Sequence, residues 1–161
     1  TWELVEAALT ARTRLVSLAT CHYLSGYRID YDRIGRELQA RGILFCLDAI
    51  QTLGAWPMDV RHVDFLSADS HKWMLGPSGA GIFYVRKALQ HRLRPALLGS
   101  WNVVSPRFIA QEEMLFPASG QRYEPGTLNL PGIVGMAASI NLLLDAGIEA
   151  VSARLTALRS Y

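Results

Sequence analysis

Residues 15–48 read LVSLATCHYLSGYRIDYDRIGRELQARGILFCLD, and this stretch decides the fold class. Residues 15–19 form a short apolar run that is typical of a buried strand. Residues 30–41 have the hydrophobic spacing of an amphipathic helix. Residues 43–47 are apolar without alternation, which predicts a strand that is buried on both faces of a sheet. A strand, a helix and a second strand in this order predict a βαβ unit with a parallel sheet, and therefore an α/β fold.

The predicted helix has its own start and stop signals. Asp30 is suited to be the N-cap residue, because its side chain can accept a hydrogen bond from the first turn. Ile34 and Leu38 lie four residues apart, so they share the face that we expect to contact the core. Gly42 follows the helix and is expected to end it.

Further elements are predicted on both sides of this unit. Before it we expect the end of a helix, residues 3–10. After it we expect two strands, residues 63–68 and 82–85, with a tight glycine turn at 76–81 between them. A short basic helix at 86–93 and two helices that are broken at Gly147, residues 131–146 and 148–159, are expected to follow. Residues 99–126 are irregular and contain several prolines and glycines. An irregular segment of this length is expected to be functional or to pack on a partner.

Composition excludes several classes of protein. The 161 residues correspond to about one domain, and a content of 50% hydrophobic and 19% charged residues argues against disorder. The net charge of +2 is too small to indicate binding to nucleic acid or to an anionic membrane. No stretch approaches the ~20 apolar residues of a membrane span. We therefore expect a globular protein that binds neither nucleic acid nor membrane.

The cysteines and the first residues indicate the expected compartment. Cys21 and Cys46 are too few for a disulfide framework, so a reducing, cytoplasmic setting is expected. Residues 1–6 have neither the basic start nor the apolar run of a signal peptide. The chain lacks an initiator Met and begins in what is predicted to be a helix, so we expect it to be a fragment.

Asp48 is the first candidate functional residue. It stands directly after the second apolar strand, and Gln51 follows three residues later. In α/β sheets, ligands bind at the carboxyl ends of the strands, where a carboxylate can bind a ligand or take part in catalysis. The alternative is an aspartate that caps the next turn.

Lys72 is the second candidate, because its neighbours in sequence are His71, Trp73 and apolar residues. Such neighbours are expected to shield the side chain from water, and desolvation favours the neutral, nucleophilic amine. The alternative is a partly buried lysine that forms an ion pair with Asp69 or Asp64.

The third candidate is the segment 122–129, which precedes the predicted helix 131–146. Gly126 and the hydroxyl of Thr127 near a helix start are suited to bind an anion such as phosphate. The alternative is a plain N-cap and turn. No metal site is predicted, because the cysteines and histidines lack the spacing of metal ligands.

Together these segments resemble one protein family. They share the order and spacing of motifs in class V pyridoxal-phosphate (PLP) enzymes, which include cysteine desulfurases, selenocysteine lyases, isopenicillin N epimerase-like proteins and class V aminotransferases. The resemblance covers roughly residues 15–159. The motifs are Asp48-x-x-Gln51, Asp64-Phe65, His71-Lys72-Trp73-x-x-Gly76-Pro77-x-Gly79-x-Gly81-Ile82-x-Tyr84-Val85-Arg86 and Arg122-Tyr123-Glu124-x-Gly126-Thr127-x-Asn129.

The resemblance implies catalytic roles for Lys72, Asp48 and Gln51. Lys72 would bind PLP as a Schiff base and then move the α-proton of the substrate. Asp48 would pair with the pyridinium nitrogen and keep the ring protonated, and Gln51 would hydrogen-bond the phenolic oxygen of the cofactor. The implied activity is transferase or lyase chemistry at the α-carbon of a small amino acid, with serine, cysteine and alanine all open as substrates.

The resemblance also implies how the phosphate of the cofactor is bound. His71 would contact it, and Ser70 would serve as a ligand because Asp69 stands in the position where desulfurases carry a serine. Gly126 and Thr127 would reach the phosphate of the neighbouring subunit's cofactor. The implied enzyme is therefore a homodimer whose active sites combine residues of both chains.

At the level of the fold, the resemblance implies the large domain of the fold-type-I PLP-dependent transferases, with a mixed, mainly parallel sheet flanked by helices. Residues 1–161 would form its central portion, without the N-terminal part and the C-terminal small domain. The alternative to an enzyme is a catalytically silent domain that is kept for dimerisation or regulation. Asp69 and Tyr23 favour this alternative because both depart from the desulfurase pattern, whereas Asp48 and Lys72 favour an enzyme.

Overall fold

The computed structural model describes residues 1–104 and 114–159. The chain divides into two compact units, one formed by Thr1–Lys87 with Pro131–Tyr161 and the other by Ala88–Leu130. The first unit contains the sheet. The segment 99–126, which we predict to be irregular, falls within the second unit, and its residues 105–113 lie outside the described part of the chain.

The four strands of the sheet follow one another in sequence order. The first three are parallel, and the fourth is antiparallel to the third. The sheet is therefore mixed and mainly parallel, and the predicted α/β class is confirmed. Its strands are β1 (Leu15–Ala19), β2 (Leu44–Asp48), β3 (Phe65–Asp69) and β4 (Gly81–Val85).

The helices lie close to their predicted positions in the chain. The short basic helix is a 3-10 helix, Lys87–Arg92, and a second 3-10 helix, Gly120–Tyr123, lies in the segment that we predict to be irregular. The α-helices are α1 (Trp2–Ala8), α2 (Tyr31–Ala40), α3 (Leu130–Ala146) and α4 (Ile148–Leu158).

Helix α2 begins and ends at the predicted signals. The Asp30 side chain accepts a hydrogen bond from the backbone N–H of Arg33 at 3.1 Å. Ile34 and Leu38 are both buried in the core. Gly42 has a φ of +69°, a left-handed conformation that glycine adopts without a steric penalty, so the chain turns here into β2.

One face of the sheet packs into the core, and the other does not. Phe45 and Leu47 of β2 point to the packed face and are fully buried. Leu44 and Cys46 alternate with them and are only half-buried. The prediction that β2 is buried on both faces is therefore wrong for the described chain. The physical reason is that α2 packs on one face only, which leaves the other face of the apolar strand partly open.

A sharp break separates α3 from α4. Gly147 has a φ of +81°, and its N–H donates to the carbonyls of Leu143 and Leu144 at 3.0 and 3.1 Å. No single helix of the described residues is long and apolar enough to cross a membrane. Helices α3 and α4 together have the length and apolar composition of a membrane span, but they are bent by 77° at the break between them.

Candidate active site

Asp48 and the turn that follows β3 lie at the same edge of the sheet. Asp48 ends β2, and its register partner on the parallel strand β3 is Ser67, two residues before that strand also ends. Because both strands run in the same direction, their carboxyl ends meet where α/β sheets bind ligands. The sheet thus brings Asp48 close to the turn that carries Lys72.

The Asp48 carboxylate is exposed, and one hydrogen bond orients it. Its Oδ1 accepts from the backbone N–H of Ile50 at 3.0 Å, which is the turn-capping arrangement named above as the alternative. Capping engages only one carboxylate oxygen. Asp48 also lines a groove of about 410 Å³, together with Ser67, Asp69 and Phe83. Asp48 can therefore cap the turn with one oxygen and still face the groove.

Lys72 lies on a tight turn between β3 and β4. The N–H of Leu75 donates to the carbonyl of Lys72 at 3.0 Å, and the N–H of Gly76 donates to the carbonyl of Ser70 at 2.8 Å. Leu75 has a φ of +58°, a left-handed conformation that is uncommon for a residue with a branched side chain. Such a conformation persists only where the surrounding contacts enforce it.

Close packing inside the turn supplies these contacts. Ser70 is fully buried, and its hydroxyl donates a hydrogen bond to the carbonyl of Pro77. A Cβ on Gly76 would lie 2.7 Å from Cβ of Ser70, so only glycine fits there. The backbone of Trp73 similarly approaches Gly54, whose φ is +94°. The turn around Lys72 is thus tightly packed against its neighbours.

The Lys72 side chain is exposed, which contradicts the expectation that its neighbours shield it. Met74 takes the buried position on this turn, while His71 and Trp73 are exposed as well, so no neighbour in sequence covers the amine. The amine forms no ion pair with a carboxylate of the described residues. The alternative of a paired lysine is therefore also wrong.

The two carboxylates considered as partners of Lys72 have other neighbours. Asp64 is buried, accepts a hydrogen bond from the N–H of Phe45 at 2.9 Å and lies 3.3 Å from Nε of Arg86. Asp69 lies 3.7 Å from Nδ1 of His71. These contacts explain why neither carboxylate pairs with the lysine.

Ser70 and His71 differ in how accessible they are to a phosphate. Ser70 is inaccessible, and its hydroxyl is already engaged with the Pro77 carbonyl, so this arrangement does not present it to a phosphate. His71 is exposed and remains accessible to a ligand. Asp69 beside it adds a negative charge, which disfavours a phosphate at this point.

Gln51 is half-buried and lines a second groove, of about 470 Å³. Trp56, Trp73 and Arg28 line the same groove, whereas Asp48 lines the first one. Arg28 and Trp56 were not predicted to be functional, because neither belongs to a motif and nothing in sequence relates them to Lys72. Only the fold brings them to the side of the turn on which Trp73 lies.

Gly126 and Thr127 belong to the second unit, and both are exposed. Helix α3 begins at Leu130, so Thr127 precedes it by three residues and does not stand at its first turn. A Cβ on Gly126 would meet no atom within 4 Å. Both residues are therefore accessible from outside their own unit.

Buried hydrogen bonds stabilise the segment before Gly126. Asn102 is fully buried, accepts from the N–H of Gly99 at 2.9 Å and donates to the carbonyls of Leu97 and Arg122. The Tyr123 hydroxyl donates to the carbonyl of Gln90 at 2.9 Å. Asn102 was not predicted to be important, because a lone asparagine in an irregular segment carries no recognisable signal.

No metal centre is found in residues 1–104 and 114–159, where no three His, Cys, Asp or Glu side chains are grouped so that they could hold an ion. Cys21 and Cys46 are both free thiols. Lys72, Asp48 and Gln51 contribute an amine, a carboxylate and an amide to this region.

Known proteins are similar to this chain in sequence and in fold. The family model described as Aminotransferase class-V matches residues 1–161. A probable cysteine desulfurase of Methanothermobacter thermautotrophicus is 32% identical over 149 residues, which are 91% of this chain and 36% of the relative. The apo structure of a cysteine desulfurase from Thermococcus onnurineus NA1 matches with a TM-score of 0.79 and 27% identity, over 84% of this chain and 34% of its own.

A solved complex of SspA with cysteine is also similar, with a TM-score of 0.67 and 26% identity, over 88% of this chain and 36% of its own. The protein in that complex therefore binds cysteine. In each case the chain spans only about a third of the length of the relative that it matches.

Proposed function

Because the chain belongs to the class-V aminotransferase family of PLP-dependent enzymes, we propose that it is part of an enzyme that acts at the α-carbon of a small amino acid. The observation that carries this proposal is the shared edge of the sheet, where Asp48 ends β2 and Lys72 lies on the turn after β3. An amine and a carboxylate at one edge are the groups that bind the aldehyde and the protonated ring nitrogen of PLP.

The residues at this edge fit the ring end of PLP better than its phosphate end. Lys72 is exposed on a packed turn, and the hydrogen bond from Ile50 orients the Asp48 carboxylate. Ser70, in contrast, is engaged within its own turn, which leaves His71 as the accessible candidate for the phosphate in this unit. We propose that Gly126 and Thr127 contribute to the phosphate site of a neighbouring subunit.

When bound, PLP supplies an electron sink for the bond that breaks at the α-carbon. Lys72 would hold the cofactor covalently through Nζ. Once the substrate amine has taken its place, the freed Lys72 amine would move the α-proton of the substrate. Asp48 would keep the proton on the ring nitrogen through its negative charge. Gln51 would hydrogen-bond the phenolic oxygen of the cofactor through its amide.

We propose cysteine as the first substrate to examine, because relatives of this chain include cysteine desulfurases and a protein solved in complex with cysteine. Alanine and serine are small enough to take the same position at the α-carbon. Transamination, desulfuration and epimerisation would all begin with the same proton transfer by Lys72, so these residues do not select among them. We further propose a homodimer in the cytoplasm, where both thiols stay reduced.

A second candidate function is a catalytically silent domain with a dimerisation or regulatory role. The observation that favours it is the phosphate end of the site, where Ser70 is inaccessible and Asp69 places a negative charge beside His71. Weak cofactor retention would follow from such a site.

Incubation of the PLP-loaded, full-length protein with single amino acids tests the proposal against this alternative. With a thiol reductant and an oxo-acid acceptor supplied, we expect L-cysteine, L-alanine or L-serine to be consumed. Alanine with sulfide identifies desulfuration, an oxo acid with free ammonia identifies a lyase, an oxo acid without free ammonia identifies transamination, and the D isomer identifies epimerisation. The Lys72→Ala variant should consume none of them, while Lys87→Ala should behave as wild type. A protein that consumes none of these amino acids, even with PLP supplied in excess, would support the silent domain.

A further inference from the structure

Two buried threonine hydroxyls lie near the end of β2, and the proposed chemistry does not use them. Thr20 directly follows β1, and Thr52 directly follows Gln51. The two residues are only 2% and 3% exposed. A buried hydroxyl is destabilising unless it is hydrogen-bonded, so the partners of these two groups indicate what they do. We call the two groups the hydroxyl pair.

The hydroxyl pair forms a chain of hydrogen bonds that ends on the backbone of Asp48. Oγ1 of Thr52 donates to Oγ1 of Thr20 at 2.7 Å. Oγ1 of Thr20 donates in turn to the carbonyl of Asp48 at 3.1 Å. Each hydroxyl has one proton, and this direction satisfies both donors at once. The chain of hydrogen bonds therefore connects Thr52 to the carboxyl ends of β1 and β2.

Asp48 is the fixed end of this chain of hydrogen bonds. It pairs in register with Ala19 on β1 and with Ser67 on β3. Its carbonyl also accepts from the backbone N–H of Thr20 at 2.8 Å. These contacts hold Asp48 between two strands without help from a side chain, so we expect Asp48 to stay in place when either hydroxyl is lost.

Gln51, in contrast, lies beyond the strand and makes no hydrogen bond of its own with another described residue. Its position depends on the residues on either side. Ala49 N–H donates to the carbonyl of Ser67 at 2.8 Å, and Thr52 N–H donates to the carbonyl of Ala49 at 2.9 Å, which closes a tight turn around Gln51. The hydroxyl of Thr52 joins this turn to the end of β1.

The same segment contacts the turn that carries Lys72. A Cβ on Gly54 would overlap the carbonyl oxygen of Trp73, so the two backbones touch at this point. Gln51 thus belongs to a segment that the hydroxyl pair connects to β1 and that borders the Lys72 turn. A shift of this segment would move the Gln51 amide relative to both Lys72 and Asp48.

We propose that Thr52, through its hydrogen bond to Thr20, is a positioning residue that holds the Gln51 amide where it can reach the cofactor. This inference rests on the proposed function, in which Gln51 hydrogen-bonds the phenolic oxygen of PLP. Neither threonine is accessible to a ligand, because both are buried. The hydroxyl pair acts by fixing the turn at Gln51, so its loss should weaken cofactor binding about as much as loss of the Gln51 amide.

Reversible binding of pyridoxamine phosphate to the full-length apoprotein tests this role without relying on turnover. This compound has the ring, the phenolic oxygen and the phosphate of PLP. It carries an amine in place of the aldehyde, so it forms no covalent bond with Lys72. Dissociation constants are measured by isothermal titration calorimetry, and urea unfolding of each variant is measured separately, so that affinity and stability are read independently.

We expect Thr52→Val, which replaces the hydroxyl by a methyl group of similar size, to weaken binding about fivefold, as the loss of one neutral hydrogen bond predicts. Thr20→Val should have the same effect. The double variant should bind no more weakly than either single one, because both changes break the same hydrogen bond. Thr52→Ser keeps the hydroxyl and should bind as wild type.

Thr13→Val is the matched control. It removes a hydroxyl that accepts from the N–H of Thr10 at 2.9 Å, in the loop before β1, and should leave the affinity unchanged.

The Gln51→Ala background separates positioning from a general effect on the fold. If the hydroxyl pair acts through Gln51, Thr52→Val should cause no further loss of affinity in this background, although urea unfolding should still detect the lost hydrogen bond. A loss of the same size with and without the Gln51 amide would overturn the inference. No loss in either background would overturn it as well.

A wild-type apoprotein that does not bind pyridoxamine phosphate contradicts the proposed function instead. Amide hydrogen exchange of that protein still tests the inference. Thr52→Val should then speed exchange in residues 49–56 and leave exchange in α2 unchanged, because the turn loses its connection to β1. Unchanged exchange in residues 49–56 would reject the positioning role.

Discussion

One hydrogen bond orients the carboxylate of Asp48 at the end of β2. Its Oδ1 accepts from Ile50 N–H, so the side chain is oriented although it is exposed. The sequence offered capping and function as alternatives for this residue. The structure shows that capping orients the group without covering it, and the functional role stays a prediction.

Replacement of Asp48 by alanine should separate cofactor binding from proton transfer. Lys72 can still bind PLP, but the charge that keeps the ring protonated is lost, so exchange of the substrate α-proton should fall about 100-fold or more. Exchange is measured by NMR in D₂O with the full-length protein. Gln51→Ala is the comparison and should cost about 1 kcal/mol, a factor of about five. Equal exchange rates for wild type and Asp48→Ala would remove Asp48 from the mechanism.

Ser70 is expected to stabilise its turn rather than to bind phosphate. Ser70→Ala removes the hydrogen bond from the fully buried Ser70 hydroxyl to the carbonyl of Pro77, so the free energy of unfolding should fall by about 1 kcal/mol. Urea unfolding measures this change, with the exposed Ser78→Ala of the same turn as the control. If Ser70→Ala loses PLP affinity without losing stability, Ser70 is a phosphate ligand after all.

At the scale of elements, the turn between β3 and β4 depends on Gly76. A methyl group there would lie 2.7 Å from Cβ and 2.9 Å from Oγ of Ser70, so Gly76→Ala must displace the turn that carries Lys72. We expect a loss of about 1–3 kcal/mol in unfolding free energy, measured by urea unfolding. Gly120→Ala, where a Cβ would meet nothing within 4 Å, should be close to neutral. Equal stability of the two variants would show that the turn is not tightly packed.

Local signals made some elements predictable and tertiary packing made others unpredictable. Asp30 and Gly42 act on their own neighbours, so the bounds of α2 could be read from the sequence. Burial of β2 depends on what covers each face, and the apolar run 43–47 does not contain that information. The exposure of Lys72 was missed for the same reason, because adjacent residues on a tight turn point in different directions.

At the scale of the whole molecule, the proposed homodimer predicts that one active site uses residues of two chains. Thr127 is exposed, so Thr127→Ala should weaken PLP retention without destabilising its own subunit. Heterodimers of a Lys72→Ala chain and a Thr127→Ala chain would contain one site with both defects and one intact site. Activity in verified heterodimers should therefore recover to about half of wild type.

The same heterodimers are expected to show no recovery of activity if the two residues serve one subunit's site. If Lys72 and Thr127 served the same subunit's site, every site in the heterodimer would carry one defect. Activity would then stay near the sum of the two parent variants. Absence of recovery in verified heterodimers would thus reject the role of Thr127 across the interface, and the role of Lys72 in its own site would be unaffected.

The central claim is that Lys72 is the lysine that binds PLP, and chemical trapping tests it most directly. The full-length protein is loaded with PLP, reduced with borohydride, digested and mapped by mass spectrometry. We predict that the cofactor is fixed on the peptide that contains Lys72, and that Lys72→Ala abolishes labelling while Lys87→Ala does not. Labelling of Lys87 or another lysine in place of Lys72 would contradict the account.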